Sequence, residues 1–149
     1  MNNLCEFLDE EPPKEHVLKG GHVFSAYDGE VVEKIFDYEM TMRGHIVSIP
    51  NPKPQHSYDC IVDLNNSGKL IKVQVKSSKT EDEAMISSGT NKNKKPYDLN
   101  KIDFICIYLK GSNRWFNIPM RVLEGKLKLR LGKKKSKYMM YKDNWEFKL

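Results

Sequence analysis

Three residues on two neighbouring segments have the side chains needed for metal-assisted hydrolysis: Asp59, Gln74 and Lys76. They supply a carboxylate, an amide oxygen and an ammonium group. Carboxylate and amide oxygens are ligands for hard divalent cations, and a nearby ammonium can stabilise negative charge that develops in a transition state. This chemistry requires the chain to bring the three side chains to one place.

The two segments have the pattern of a β-hairpin. Residues 59–64 and 69–76 alternate polar and apolar side chains, and the four residues between them favour a turn. With that turn as the loop, Asp59 lies opposite Gln74, and opposed residues have Cβ atoms about 4.5–5.5 Å apart. Lys76 lies two positions beyond Gln74 and therefore points to the same face. A register shift of one residue would put Asp59 and Gln74 on opposite faces.

Upstream of the hairpin, residues 25–43 have the periodicity of an amphipathic helix that ends near Gly44. Glu30 and Glu33 lie at the two edges of its apolar arc, where a helix acid can reach the hairpin. The apolar stripe predicted to be buried consists of Tyr27, Val31, Ile35, Tyr38 and Met42, with Val32 and Phe36 at its side.

The remaining elements are predicted to be strands and loops. Residues 45–49 form a short strand, residues 50–56 a proline-containing loop and residues 79–95 a polar, basic loop. Two strands follow at 102–109 and 114–118, the first of them apolar enough to be buried on both faces. Residues 126–131 predict a strand with cations on one face. Residues 138–147 are apolar enough to pack on the core or on a second subunit.

Length and composition bound the architecture. The 149 residues, 39% of them hydrophobic and 30% charged, fit an acidic N-terminal arm over residues 1–20 and one domain over residues 21–149. No segment has the length of a membrane span or the pattern of a signal peptide, so we expect a cytoplasmic protein. Cys5, Cys60 and Cys106 show no paired spacing, and we expect reduced thiols, the last two in the core.

Charge is distributed unevenly along the chain. Residues 1–63 have five Lys and Arg against twelve Asp and Glu, a balance of −7, whereas residues 64–149 have twenty against eight, a balance of +12. A basic half is typical of proteins that bind nucleic acid, although a solvated lysine-rich surface has the same composition. The cations that we expect to face DNA are Lys92, Lys94, Lys95, Lys126, Lys128, Arg130, Lys133, Lys134 and Lys135.

The order of these features resembles the PD-(D/E)XK nuclease superfamily, in which an Asp on one hairpin strand and an acid-x-Lys on the next bind a divalent metal and a water. Asp59 and the run from Gln74 to Lys76 occupy those positions. Tyr58 stands where the motif has Pro. Gln74 replaces the usual acid, as in the Q-x-K branch that contains intron-encoded homing endonucleases. The resemblance covers roughly residues 29–119, including the aromatic strand that ends at Pro119.

The resemblance also indicates which helix acid belongs to the site. In the Q-x-K branch a Gly precedes the helix Glu by a few residues, and a second Gly closes the helix. Gly29, Glu33 and Gly44 fit this arrangement, which favours Glu33 and leaves Glu30 as the alternative.

The family implies an α/β fold with a central mixed β-sheet flanked by helices, and Mg²⁺- or Mn²⁺-dependent hydrolysis of double-stranded DNA by a homodimer or homotetramer. Asp59, the side-chain oxygen of Gln74, the backbone carbonyl of Val75 and Glu33 would hold the metal. Lys76 would orient the attacking water and stabilise the developing charge. Two alternatives stay open: a Holliday-junction resolvase acting on branched DNA, and a catalytically silent nuclease fold that binds DNA.

Overall fold

The computed structural model describes residues 24–51, 56–88, 92–123, 125–132 and 136–149. The predicted acidic arm lies outside these ranges, as do residues 52–55 of the proline-containing loop. The helix α1 spans Phe24–Met42, close to the predicted bounds. None of the helices in the described ranges is long and apolar enough to cross a membrane.

Nine strands follow within the described residues, and five of them form the central sheet. In chain order they are β1 (Ile46–Ser48), β2 (Cys60–Asp63), β3 (Leu70–Ser78), β4 (Glu83–Met85), β5 (Ser87–Ser88), β6 (Lys95–Pro96), β7 (Phe104–Leu109), β8 (Arg114–Pro119) and β9 (Lys128–Arg130). The central sheet has the order β1-β2-β3-β7-β8, with β3 and β7 parallel and the other pairs antiparallel. The predicted α/β class with a mixed sheet is therefore confirmed.

The β2–β3 hairpin has the predicted register. Cys60 lies opposite Val73, and Leu64 N–H donates to the carbonyl of Lys69 at 3.0 Å. The turn begins as a short 3₁₀ segment and contains Asn65 at φ 55°, a left-handed conformation that asparagine tolerates. The prediction that the first strand begins at residue 59 is wrong by one residue, since β2 begins at Cys60.

Helix α1 packs on the sheet through the side of the predicted arc that contains Val32 and Phe36, whose predicted burial is confirmed, and not through the centre of the predicted stripe. Val32, Phe36 and Met40 are at most 1% exposed, whereas Tyr38 and Met42 of the predicted stripe are 62% and 66% exposed. The helix has apolar residues at four-residue spacing on two sides, and periodicity alone does not say which side faces the sheet. Phe36 decides the orientation because its ring packs against two indole rings, at centroid distances of 5.8 and 6.5 Å to Trp115 and Trp145.

The opposite face of the sheet is covered by a two-stranded sheet of β4 and β9. The described part of the chain has two hydrophobic cores: the first contains the buried residues of α1, and the second lies between the sheet and the β4–β9 pair. Ile105 and Ile107 of β7 are fully buried in the second core, together with Leu129 of β9. The predicted double-sided burial of β7 is thus confirmed. The prediction of a loop over residues 79–95 is wrong in part, because this segment contains β4 and β5. Ala84 of β4 is only 3% exposed and anchors that strand.

The C-terminal residues pack on the first core, beside α1. Phe147 is 2% exposed and lies edge-on to Phe104, with ring centroids 5.1 Å apart. Phe116 of β8 forms an isolated antiparallel bridge with Lys142. Of the two predicted positions for this segment, the structure shows packing on the core. Cys106 is buried as predicted, and burial raises the pKa of its thiol well above the ordinary value.

Candidate metal and nuclease site

The hairpin brings Asp59 and Gln74 into direct contact. Asp59 N–H donates to the carbonyl of Val73 at 2.9 Å, which holds residue 59 against β3 just before β2 begins. One carboxylate oxygen, Asp59 Oδ2, accepts from the Val75 N–H at 2.7 Å and from Gln74 Nε2. Two donors on adjacent residues of β3 therefore fix the position of this carboxylate.

The amide of Gln74 lies between two oxygens. Its Nε2 donates to Asp59 Oδ2 and to the backbone carbonyl of Val75, the latter at 3.3 Å. Gln74 is only 9% exposed, so its amide cannot turn freely into solvent. The position of Nε2 therefore marks a point at which two acceptor oxygens converge.

These residues fit a hard divalent cation. Among the described residues, no three His, Cys, Asp or Glu side chains form a cluster that could hold a metal, so a cation here requires amide and backbone oxygens as well. Oxygen and nitrogen of an amide are exchanged by a half-turn about the terminal bond. That half-turn would bring the Gln74 oxygen beside the oxygens of Asp59 and Val75, and three such oxygens are suitable ligands for Mg²⁺.

Helix α1 contributes Glu33 to the same place. Glu33 is half-buried, and it lines a cleft of about 340 Å³ together with the site residues of the hairpin. Glu30 is exposed and is not among the residues that line this cleft. The burial of Val32 and Phe36 explains the difference, because it turns the position of Glu33 toward β2 and β3. The lining residues are Gly29, Val32, Glu33, Asp59, Gln74, Val75, Lys76 and Ser77.

Lys76, like Gln74, lines both this cleft and a second one. The second cleft has a volume of about 480 Å³, and its walls include Gln74, Lys76 and the ring of Tyr97. Lys95, one of the cations predicted to face DNA, also lines this cleft, as does Lys101. The sequence analysis did not find Tyr97 or Lys101, because neither belongs to a periodic element or to the hairpin motif.

The predicted cations differ in their surroundings. Lys92, Lys94 and Lys95 are exposed. Lys126 Nζ donates to the hydroxyl of Tyr138 at 3.2 Å. Lys133, Lys134 and Lys135 lie outside the described residues.

Lys128 and Arg130 lie on one exposed face of β9, as predicted, but both pair with Glu83 of β4. The distances are 2.5 Å from Lys128 Nζ and 3.3 Å from Arg130 Nε to the Glu83 carboxylate. The hydrogen bond from Lys128 and the positive charges of both residues lower the pKa of Glu83.

Comparison with known proteins gives a consistent result. The family model described as PD-(D/E)XK endonuclease matches residues 25–148. A bacterial homing endonuclease, I-Ssp6803I, is similar with a TM-score of 0.66 and 23% identity, over 82% of this chain and 90% of that one. Hjc, a Holliday junction resolvase from the archaeal hyperthermophile Archaeoglobus fulgidus, has a TM-score of 0.52 and 14% identity, over 76% and 88% of the two chains. No curated protein matches the chain.

Proposed function

Because this chain belongs to the PD-(D/E)XK endonuclease family, we propose that it is a Mg²⁺-dependent endonuclease that cuts double-stranded DNA as a homo-oligomer. The observation that carries the proposal is the convergence of Asp59 Oδ2, the Val75 carbonyl and the Gln74 amide at one point. Glu33 and Lys76 line the same cleft.

Each of these residues has a defined task in phosphodiester hydrolysis. When bound, Mg²⁺ lowers the pKa of a water molecule and neutralises charge on the scissile phosphate, and Mn²⁺ can replace it. Asp59 supplies a carboxylate that Val75 N–H already holds in place. Gln74 supplies an oxygen after its amide turns, and Glu33 acts from the helix side of the cleft. Lys76 orients the attacking water and stabilises the negative charge on the phosphate in the transition state.

The basic surface would hold the DNA around this cleft. Lys95 of β6 and Lys101 line the second cleft, which shares Gln74 and Lys76 with the site. Contacts of this kind with phosphates give affinity without sequence information, and the affinity falls as salt rises. One site per chain cuts one strand, so cleavage of both strands requires at least two chains.

A cleavage assay with matched variants tests the proposal. Supercoiled plasmid, linear duplex and a four-way junction are incubated with Mg²⁺, with Mn²⁺ and with EDTA. We expect Mg²⁺-dependent cleavage of duplex DNA, and a loss of at least about a hundredfold in rate for Asp59→Asn and for Lys76→Ala. Asp63→Asn is the matched control, since it makes the same change at the other end of β2 and Asp63 accepts only from the turn residue Gly68 in the contacts described.

Each outcome selects one reading. Cleavage that survives Asp59→Asn and Lys76→Ala would refute the assignment of the site. Cutting confined to the four-way junction would favour a resolvase, for which the similar fold of Hjc is the supporting observation. Salt-sensitive DNA binding without cleavage in either metal would favour a silent DNA-binding module.

A further inference from the structure

The ammonium group of Lys76 lies over the ring of Tyr97. The distance from Lys76 Nζ to the ring centroid is 5.5 Å. A cation within about 6 Å of the face of an aromatic ring is attracted by the negative charge of the π-system. Lys76 therefore has an aromatic partner, contributed by a segment that the hairpin motif does not include.

Tyr97 is held in place by the fold. It directly follows β6, which pairs with β5 through Ser87 opposite Pro96. The ring is half-buried and packs against the second core. The core holds the ring on one side, and Lys76 lies against it. The ring therefore has little freedom to move, and its position limits where the Lys76 ammonium can lie.

A lysine side chain needs such a support more than other catalytic groups do. Its ammonium sits on a flexible stem of four carbons, and fixing the stem costs conformational entropy. Holding the reacting groups in place before the substrate arrives removes part of that cost from the reaction step.

We propose that Tyr97 is a positioning residue, whose ring holds the Lys76 ammonium at the junction of the two clefts. The inference rests on the proposed function, because it gives Lys76 a task at the scissile phosphate. Tyr97 acts through its ring face and not through its hydroxyl, since Lys76 contacts the ring. Phenylalanine should therefore replace it, whereas leucine should not.

The contact can be measured without any cleavage. In protein with ¹³C-labelled lysine, the ε-methylene signal of Lys76 is assigned by its disappearance in Lys76→Arg. Protons over a ring face are shifted upfield by the ring current. We expect this shift in the wild type and in Tyr97→Phe, and its loss in Tyr97→Leu.

The effect on the reaction is measured with enzyme in excess over DNA. We expect the rate at saturating enzyme to fall about tenfold in Tyr97→Leu and to stay within about twofold in Tyr97→Phe, because only the first removes the support. The dissociation constant for DNA, measured in Ca²⁺, should stay within about twofold in both. Tyr141→Leu is the matched control, since Tyr141 is also half-buried against the second core.

Three results would overturn the inference: an unshifted Lys76 signal in the wild type, an unchanged rate in Tyr97→Leu, or a loss confined to DNA affinity, which would make Tyr97 a substrate contact. An equal loss of rate in Tyr141→Leu would reduce the effect to core packing and overturn it as well. If the wild type cuts no DNA, the proposed function fails, while the NMR shift still decides whether Tyr97 holds Lys76.

Discussion

The neutral amide of Gln74 should lower the affinity of the site for a metal ion and stabilise the site when no metal ion is bound. A carboxylate at this position would lie within hydrogen-bond distance of Asp59, as the Gln74 amide does. Two carboxylates that share a site repel each other unless a cation or a proton lies between them. The neutral amide avoids this repulsion by donating to Asp59, at the expense of one negative charge toward a metal.

Gln74→Glu should therefore bind Mg²⁺ about tenfold more tightly, which corresponds to about 1.4 kcal/mol of added attraction. In EDTA the same variant should have a free energy of unfolding about 1–2 kcal/mol lower than the wild type, because the like charges are then uncompensated. Isothermal titration calorimetry measures the first effect and urea denaturation at pH 7.5 the second.

One control variant makes this result specific to the site. Asp59→Asn should abolish tight Mg²⁺ binding in either background, because it removes the carboxylate that both arrangements use. An unchanged affinity for Mg²⁺ in Gln74→Glu would contradict the position of the metal between residues 59, 74 and 75.

The contact between Asp59 and Gln74 was predictable from sequence, whereas the contact between Lys76 and Tyr97 was not. Hairpin register follows from the turn and from alternation, both of which are local patterns. Tyr97 reaches Lys76 only because β5, β6 and the second core fold back over β3. No pattern within ten residues of Tyr97 contains that information.

At the scale of elements, β4 and β9 form a small sheet, and the cations on its exposed face are paired with a carboxylate. Glu83 pairs with Lys128 and Arg130, the two described cations on that face of β9 that were expected to contact DNA. Solvent-exposed ion pairs of this kind contribute little to stability. Their larger consequence is that one carboxylate competes with phosphate for two cations.

Glu83→Gln should consequently increase the affinity for duplex DNA if these cations contact phosphates. We expect the dissociation constant at 100 mM KCl to fall about three- to tenfold and the slope of log K against log [KCl] to become steeper by up to about two. Fluorescence anisotropy with a labelled duplex across a KCl series gives both quantities.

The pH dependence provides an independent check on Glu83. Its pKa is lowered in the folded protein, so the ion pairs stabilise the fold above the unfolded-state pKa and are lost as pH falls through the folded-state pKa. The difference in DNA affinity between wild type and Glu83→Gln should disappear over the same acidic range. Equal affinities at neutral pH would place the DNA away from β9.

Element boundaries and order were largely predictable, but the orientation of α1 was not. The predicted buried arc included Val32 and Phe36, which are buried, but its central stripe contained Tyr38 and Met42, which are exposed. The structure buries Phe36 because Trp115 of β8 and Trp145 of the C-terminal segment meet it there. These partners are about 80 and 110 residues away in sequence, so a helical wheel of α1 contains no information about them.

At the scale of the whole molecule, the uneven charge of the sequence becomes an uneven distribution in space. The acidic part of the chain includes α1 on one face of the sheet, and the basic part includes β6 and β9 around the other. If the proposed function holds, we expect this arrangement to attract DNA to the basic side. Under the proposed function each chain has one site and cuts one strand, so cleavage of both strands requires a second chain.

Cleavage of both strands should therefore depend on protein concentration. With supercoiled plasmid in excess of Mg²⁺-loaded protein, we expect nicked circles at low protein concentration and linear DNA at high concentration. Sedimentation velocity over the same range should show the transition from monomer to dimer or tetramer. Linear DNA formed in one step by a species that sediments as a monomer would contradict the proposed oligomer.

The C-terminal segment, which packs on the core beside α1, is synthesised long after the residues of the candidate site. Asp59, Gln74 and Lys76 leave the ribosome as a local hairpin, but Trp145 and Phe147 cover Phe36 and Phe104 only about 70 residues later. Asn117 and Asn144 then join β8 to this segment through reciprocal side-chain to backbone hydrogen bonds of 3.3 and 3.2 Å. A nascent chain thus carries every residue of the site before the C-terminal segment packs on the core beside α1. If the proposed function holds, we therefore expect cleavage of DNA to require synthesis of the chain through Phe147.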